Sequence, residues 1–177
     1  MIFILTKNHP SSVLAWISKQ MAVVYQQSFH TTPQTIWSAQ WFYEQLEQDA
    51  LIVVKTAPDS ETLIGFIMGK KMVDHYDILT FAVQPDYQGQ GYGYALLQEY
   101  LGVLDAPCFL EVCTHNNKAI ALYHKAGFKS VGIRANYYAC LDTKTGPKGP
   151  QDAIVMRYEP PHLIQHDYTY NPDNPTT

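Results

Sequence analysis

The feature that most constrains this chain is a strand, a glycine-rich loop and a helix in direct succession. ILTFAV (78–83) is an apolar run of strand length, QPDYQGQGYG (84–93) carries three glycines at alternate positions, and a helical run follows from about Tyr94 to Leu104. Glycine permits positive φ and close ligand approach, and the first N–H groups of a helix attract phosphate. The loop therefore predicts a nucleotide-cofactor site, although a tight connection without any ligand uses the same residue types.

The spacing of the glycines excludes the two commonest nucleotide-binding loops. Gly89 and Gly91 are followed at the third position by Tyr94, and Gly91 and Gly93 by Leu96, where a dinucleotide fingerprint needs Gly or Ala. A Gly-Lys-Ser or Gly-Lys-Thr triplet is also missing from the sequence, so the loop is not a P-loop.

The remaining patterns predict one α/β (α+β) domain over 1–160 with a largely antiparallel sheet flanked by helices. Helical periodicity covers 11–29 and 38–48, and 51–72 has the pattern of a hairpin. CFLEVCT (108–114) is a strand pattern followed by a helix from Asn116 to Ala126, and two further strand patterns come after it. The polar, Pro- and Asn-rich segment 161–177 is expected to be a mobile tail.

Composition argues against several classes of function. Twelve basic and sixteen acidic residues give a formal charge of -4, so direct nucleic acid binding is not expected. The apolar run Ile2 to Leu5 is too short for a signal or a membrane span, and membrane association is not expected either. Three cysteines without Cys-x-x-Cys spacing favour a reducing cytoplasm, and the seven histidines form no metal-binding pair, so no metal is expected.

A resemblance to a known family rests on two segments. Val83 is followed by Gln88-x-x-Gly91-x-Gly93, and LEVCTHNNKAIALYHKAGFKSVGIRANYY (110–138) precedes a closing Asp-Ala-x-x-Met. Together they resemble the GNAT superfamily of acetyltransferases, and in particular the bacterial ribosomal-protein-alanine N-acetyltransferases. The resemblance implies a GNAT-like sheet with a splay between two parallel strands, and acetyl-coenzyme A as the acetyl donor. It assigns cofactor contacts to Phe81, Ala82, Val83, Gln88, Gly89, Gln90, Gly91, Tyr92, Gly93 and Asn116.

The same resemblance assigns two catalytic residues, Glu111 as general base and Tyr123 as general acid. An amine must lose a proton to attack a thioester, and Glu111 is the one charged residue in its strand. Tyr123 lies two helical turns after Asn116 on the same helix face, where a phenol could protonate the leaving thiolate. Without the motif, an outward-facing Glu and a core tyrosine would be the simpler interpretations.

The resemblance also implies the acceptor, which is the N-terminal α-amine of a protein, in the narrowest form that of a ribosomal protein. The residues expected near the peptide are Trp37, Arg134, Tyr137 and Tyr138. Cys113 and His115 stand where the family commonly has Arg and Ser, which leaves the peptide specificity open. Two alternatives therefore remain, a GNAT enzyme for a small amine or a lysine side chain, and a catalytically idle module that binds acyl-coenzyme A.

Overall fold

The computed structural model describes residues 1–29, 37–58, 61–138 and 149–164. Seven strands and five α-helices are found in this part of the chain. The strands are β1 (Ile2–Leu5), β2 (Leu51–Thr56), β3 (Leu63–Lys71), β4 (Tyr76–Val83), β5 (Cys108–Cys113), β6 (Lys129–Tyr138) and β7 (Gln151–Tyr158). The helices are α1 (Ser11–Ser28), α2 (Ala39–Glu47), α3 (Tyr92–Gly102), α4 (Asn117–Lys125) and the short α5 (Pro161–Ile164).

The seven strands form one sheet in the order β1-β2-β3-β4-β5-β7-β6. Every neighbouring pair is antiparallel except β4 and β5, which are parallel. The prediction of a mixed, largely antiparallel sheet is therefore confirmed.

Helices cover both faces of the sheet and divide the core in two. On one face α1 and α2 pack on the sheet through fully buried residues such as Ile17, Met21 and Phe42. On the other face α3 and α4 pack on it through Leu96, Tyr123 and their neighbours. The apolar residues of α1 recur at helical spacing, so a single stripe of that helix is buried.

The parallel pair β4 and β5 stays together only at its beginning. Tyr76 pairs with Cys108 and Asp77 with Phe109, and no further register pair joins the two strands, although both continue. Beyond Asp77 the strands diverge and leave a gap inside the sheet, which confirms the predicted splay.

A β-bulge in β4 lies where the divergence begins. Met68 of β3 pairs with Thr80, whereas the next residue, Gly69, pairs with Ile78, so Leu79 is an extra residue without a partner. A bulge of this kind bends its strand and increases the local twist. The bulge at Leu79 therefore accounts for the departure of β4 from β5.

Two further observations concern the prediction of no membrane association and the prediction of a mobile tail over 161–177. No helix among the described residues is long and apolar enough to cross a membrane. The segment predicted as a tail begins with the single helical turn α5, and the expected mobility concerns residues 165–177, which lie outside the described part of the chain.

Candidate active site

The gap between β4 and β5 exposes backbone groups that have no strand partner. The Gln84 N–H donates to the Ile64 carbonyl at 2.9 Å, so by the alternation of antiparallel ladders Ala82 is bonded to β3 while Phe81 and Val83 point away from it. The backbone of Phe81 and Val83 therefore faces the gap. Of the three predicted cofactor contacts in β4, Ala82 turns its backbone to β3 instead.

The glycine loop after β4 begins helix α3 with its backbone N–H groups exposed. Gly91 is the N-cap of the helix with φ 85°, and Gly89 has φ 75°. A Cβ atom built at either glycine would meet no heavy atom within 4 Å, so the glycines are not needed for packing within the protein. The helix starts at Tyr92, two residues earlier than predicted, so the N–H groups of Tyr92 and Gly93 belong to its first turn, where anions bind.

Gln88 and Gln90, the two glutamines next to the glycines, turn their side chains inward to brace the loop. Gln88 Nε2 donates to the Val83 carbonyl at 2.9 Å, and Gln90 Nε2 donates to the Asp86 carbonyl at 2.8 Å. Ser28 Oγ, at the end of α1, donates to the same Val83 carbonyl at 3.1 Å. Ser28 was not predicted from the sequence, because only the fold brings the end of α1 to the end of β4.

Two lysines that were also not predicted lie beside the loop. Lys55 Nζ lies 5.0 Å from the ring centre of Tyr92, and Lys125 Nζ lies 4.5 Å from that of Tyr94. Cation–π contacts of this length hold a charge in a defined place. The loop therefore has nearby positive charge, although its own sequence contains none.

Asn116 and Tyr123 lie at the start and near the end of α4. Asn116 caps the helix, because its Oδ1 accepts from the Ala119 N–H at 3.2 Å. The Tyr123 ring is buried with its centre 6.4 Å from that of Phe81 and 5.7 Å from that of Phe128. Burial raises the pKa of the Tyr123 phenol well above its usual value, so this phenol keeps its proton at neutral pH.

Glu111 lies at the gap on the opposite face of the sheet from Tyr123. Its neighbours Leu110 and Val112 point into the core that contains Tyr123, so Glu111 points to the other face, where its side chain is 24% exposed. Its carboxylate Oε1 lies 3.2 Å from Nη2 of Arg134. The predicted base and one predicted substrate contact are therefore brought together.

Tyr138 reaches the edge of the gap as well. The Thr114 N–H donates to the Asp152 carbonyl at 3.0 Å, so by ladder alternation the Glu111 carbonyl points away from β7 and into the gap. Tyr138 Oη donates to this carbonyl at 3.0 Å, and burial raises the pKa of the Tyr138 phenol. Tyr137 lies beside the pair, with its ring centre 5.7 Å from the Arg134 guanidinium and 5.0 Å from the Tyr138 ring.

Trp37 belongs to an aromatic cluster between α1 and α2. Its ring stacks on Trp41 at 4.1 Å and on Tyr25 at 5.0 Å, and it meets the edge of Phe42 at 6.0 Å. Trp37 precedes Ser38, whose Oγ caps α2 by accepting from the Trp41 N–H. The contact of Trp37 with Phe42 is thus a hydrophobic staple, which gives Trp37 a structural role that the sequence analysis missed.

Within the described residues there is no group of three or more His, Cys, Asp or Glu side chains that could hold a metal ion. The charged groups at the gap are instead one carboxylate and one guanidinium, Glu111 and Arg134. This arrangement can accept a proton on one face of the sheet and donate one from Tyr123 on the other.

The class of protein follows from the sequence of the domain together with this site. The Acetyltransferase (GNAT) family matches residues 13–128, which include the glycine loop, Glu111 and Tyr123. The chain therefore belongs to the GNAT acetyltransferase family.

The names of individual relatives are more specific than the family name, because they state an acceptor. The [ribosomal protein bS18]-alanine N-acetyltransferase of Escherichia coli strain K12 is 39% identical over 98 residues, which cover 53% of this chain and 62% of that protein. The protein of the same name from Salmonella typhimurium is 31% identical over 149 residues, which cover 82% of this chain and 93% of that protein. The chain thus spans less than two thirds of the E. coli relative in the first alignment.

A solved structure agrees with these sequence relatives. The crystal structure of the ribosomal-protein-S18-alanine N-acetyltransferase from E. coli superposes with a TM-score of 0.64 at 28% identity, covering 89% of this chain and 93% of that one.

Proposed function

We propose that this protein transfers the acetyl group of acetyl-coenzyme A to the N-terminal α-amine of a protein, and in the narrowest form of the proposal to that of the ribosomal protein that its relatives are named for. The observation that carries the proposal is the pair of proton-transfer groups at the gap, with Glu111 on one face of the sheet and Tyr123 on the other. A thioester in the gap could then be attacked from one face while its thiolate leaves toward the other.

The residues present fit acetyl-coenzyme A, which supplies the activated acetyl thioester when bound. The N–H and carbonyl of Phe81 and the N–H of Val83 face the gap and offer hydrogen bonds to an extended amide-containing arm, while the Val83 carbonyl already accepts from Gln88 and Ser28. The first turn of α3 offers N–H groups to a diphosphate, with open space at Gly89 and Gly91 where side chains would interfere. Asn116 lies at the start of α4 on the other side of the gap.

The proposed reaction forms one C–N bond and breaks one C–S bond, and this chain's residues move the two protons. Glu111 accepts the proton that the amine loses, directly or through water. Tyr123 donates a proton or a hydrogen bond to the departing sulfur, which its raised pKa permits because the phenol stays protonated. The N–H groups of Phe81 and Val83 are available to stabilise the oxyanion, an effect worth about 3 kcal/mol for one such donor.

The acceptor end of the proposal rests on the residues around Glu111. Arg134, Tyr137 and Tyr138 surround the carboxylate with aromatic surface and one cation, which suits an extended peptide end. An N-terminal α-amine has a pKa near 8, so it needs less help to lose its proton than a lysine side chain does. Trp37, in the aromatic cluster between α1 and α2, stays in the proposal as a further contact of the peptide.

The proposed location is the cytoplasm, which the cysteines support. Cys108 is buried and Cys113 half-buried, and both are free thiols. Cell fractionation tests this point, and recovery of the protein from an oxidising compartment would contradict it.

The test of the function is acetyl transfer from labelled acetyl-coenzyme A to two panels of amines. One panel has peptides beginning with alanine, serine or methionine, and the other has polyamines, lysine peptides and small amines. Transfer to the peptide α-amine supports the proposal, and the Glu111→Gln variant should lose it. A preference for small amines or lysine would replace the acceptor, and tight acetyl-coenzyme A binding without any transfer would favour an idle binding module.

A further inference from the structure

The contacts of Arg134 and Tyr138 with Glu111 depend on an irregular stretch of β6. Arg134 pairs with Ala153 of β7 and Tyr138 with Gln151, so three residues of β6 lie opposite the single residue Asp152. Regular pairing would place one residue there, and β6 therefore carries two extra residues. This bulge redirects the end of β6, as bulges next to active sites commonly do.

The bulge is built around a backbone conformation that most residues avoid. Asn136, at its centre, has φ 55°, in the left-handed region that costs a residue with a side chain about 1–2 kcal/mol. Asn tolerates this region better than other non-glycine residues, but such a conformation persists only where neighbouring contacts hold it. The contact that holds it comes from Asp152.

Asp152 makes two hydrogen bonds that join three strands. Its Oδ1 accepts from the Asn136 N–H at 2.8 Å, and its backbone carbonyl accepts from the Thr114 N–H, just after β5, at 3.0 Å. Asp152 thereby fixes the position of the β6 bulge relative to the end of β5, the strand that carries Glu111. Residues on either side of Asn136 then contact Glu111, Arg134 on its carboxylate and Tyr138 on its carbonyl.

We infer that Asp152 is a positioning residue for the acceptor, which sets the β6 bulge through Asn136 and so holds Arg134 and Tyr138 on Glu111. The inference rests on the proposed transferase function, and it adds a residue that acts without touching the reacting atoms. The hydrogen bond needs an oxygen acceptor at this position rather than a negative charge. Asparagine at 152 should therefore replace aspartate, and alanine should not.

Steady-state kinetics with a peptide acceptor test this inference. Asp152→Ala should raise KM for the peptide or lower kcat by about tenfold or more, because small displacements of positioning groups are costly. KM for acetyl-coenzyme A should stay within about twofold, and Asp152→Asn should retain activity within about threefold. Asp105→Ala is the matched control, because Asp105 also accepts hydrogen bonds but lies at the opposite end of the parallel strands.

A double-mutant cycle separates the bulge from a general loss of stability. Asn136→Ala removes the residue that suits the left-handed conformation, and it should resemble Asp152→Ala. The double variant should lose little more than either single variant, because both changes release the same bulge. Independent, additive losses would overturn the inference, as would an Asp152→Asn variant as impaired as Asp152→Ala.

Amide hydrogen exchange provides a readout that needs no turnover. In the free protein the Asn136 amide should exchange at least about tenfold faster in Asp152→Ala than in wild type, while amides of β2 and β3 keep their rates. Unchanged exchange at Asn136 would overturn the inference whatever the activity. If the wild-type protein acetylates no amine, the proposed function is contradicted. The exchange rate of the Asn136 amide would still test whether Asp152 holds the β6 bulge.

Discussion

Glu111 and Tyr123 lie on opposite faces of the sheet at the place where β4 and β5 separate. The Glu111 carboxylate lies on the face that carries α1 and α2. The Tyr123 phenol is buried on the other face, between α4 and the sheet. A group held between the strands would be accessible to both. The two residues can therefore be tested separately, since neither contacts the other.

Glu111→Gln should lower kcat/KM for the amine about 10²- to 10⁴-fold, the usual contribution of a general base. Glutamine keeps the shape of the side chain and an oxygen that Arg134 can contact, so the fold and the affinity for acetyl-coenzyme A should not change. Turnover assays and acetyl-coenzyme A titration measure both quantities. Glu99→Gln, on the exposed face of α3, is the control, and full activity in Glu111→Gln would contradict the assigned role.

Tyr123→Phe should slow turnover about tenfold or more while the protein becomes no less stable. The ring contacts with Phe81 and Phe128 remain in the variant, and the phenol has no hydrogen-bond partner among the described residues. No hydrogen bond within the described residues is lost with the hydroxyl, so the free energy of unfolding should change by less than about 1 kcal/mol. Urea unfolding and kcat measured on the same preparation test this. A variant that is less stable but keeps its kcat would indicate a purely structural tyrosine.

Gly91→Ala should weaken acetyl-coenzyme A binding and destabilise the protein by about 1–2 kcal/mol, because φ is 85° at this position. The added methyl group meets no protein atom, so its effect on binding would come from the ligand and from the strained loop. Gly102→Ala, at the other end of the same helix, is the matched control and should leave binding unchanged. Calorimetric titration and thermal unfolding measure the two effects, and equal affinity in both variants would contradict a phosphate site at Gly91.

Lys125→Ala should raise Kd for acetyl-coenzyme A severalfold, with the difference shrinking as salt is added, because an exposed charge is screened. Lys125 lies over Tyr94 beside the glycine loop, whereas Lys19 is an exposed lysine in the middle of α1. Lys19→Ala is therefore the control. A Kd that is unaffected by Lys125→Ala at low salt would show that the backbone N–H groups suffice.

Alkaline pH should destabilise the protein through three tyrosines, the buried Tyr100 and Tyr123 and the half-buried Tyr138. Burial raises the pKa of each phenol above the value of about 10 in the unfolded chain. The unfolded state then loses these protons first, so their contribution to stability is complete below about pH 10 and decreases above it. Denaturant unfolding at increasing pH, followed together with tyrosinate absorbance, measures this. A stability that stays constant while the tyrosines ionise would contradict it.

Local sequence patterns were sufficient to predict the elements whose signals are themselves local. The apolar run of β4, the glycines of the loop and the cap Asn116 each indicate a structure within a few residues, and these parts were predicted correctly apart from the first turn of α3. The segment that places Tyr138 at the gap was predicted as a plain strand. Its bulge depends on pairing with β7, which is distant in sequence.

Other features were missed for similar physical reasons. The bulge at Leu79 has no glycine or proline on its own strand, and the glycine opposite it, Gly69, indicates a bulge only once the register of β4 against β3 is known. Trp37 was assigned to the substrate on sequence alone, although its staple contact with Phe42 is local to the start of α2. Its stacking on Tyr25 of α1 depends on the packing of the two helices and has no local signal. The ion pair of Arg134 with Glu111 crosses β7, so no spacing along the chain indicates it.

The bulge at Leu79 implies that the opening in the sheet depends on the number of residues in β4 rather than on the side chain at position 79. Replacing the Leu79 side chain leaves the extra residue in place, so the opening should tolerate almost any amino acid there. Removing one residue between Ile78 and Thr80 would instead let β4 run straight along β5 and close the sheet. The length of β4 at this point should therefore matter more to the site than the identity of residue 79.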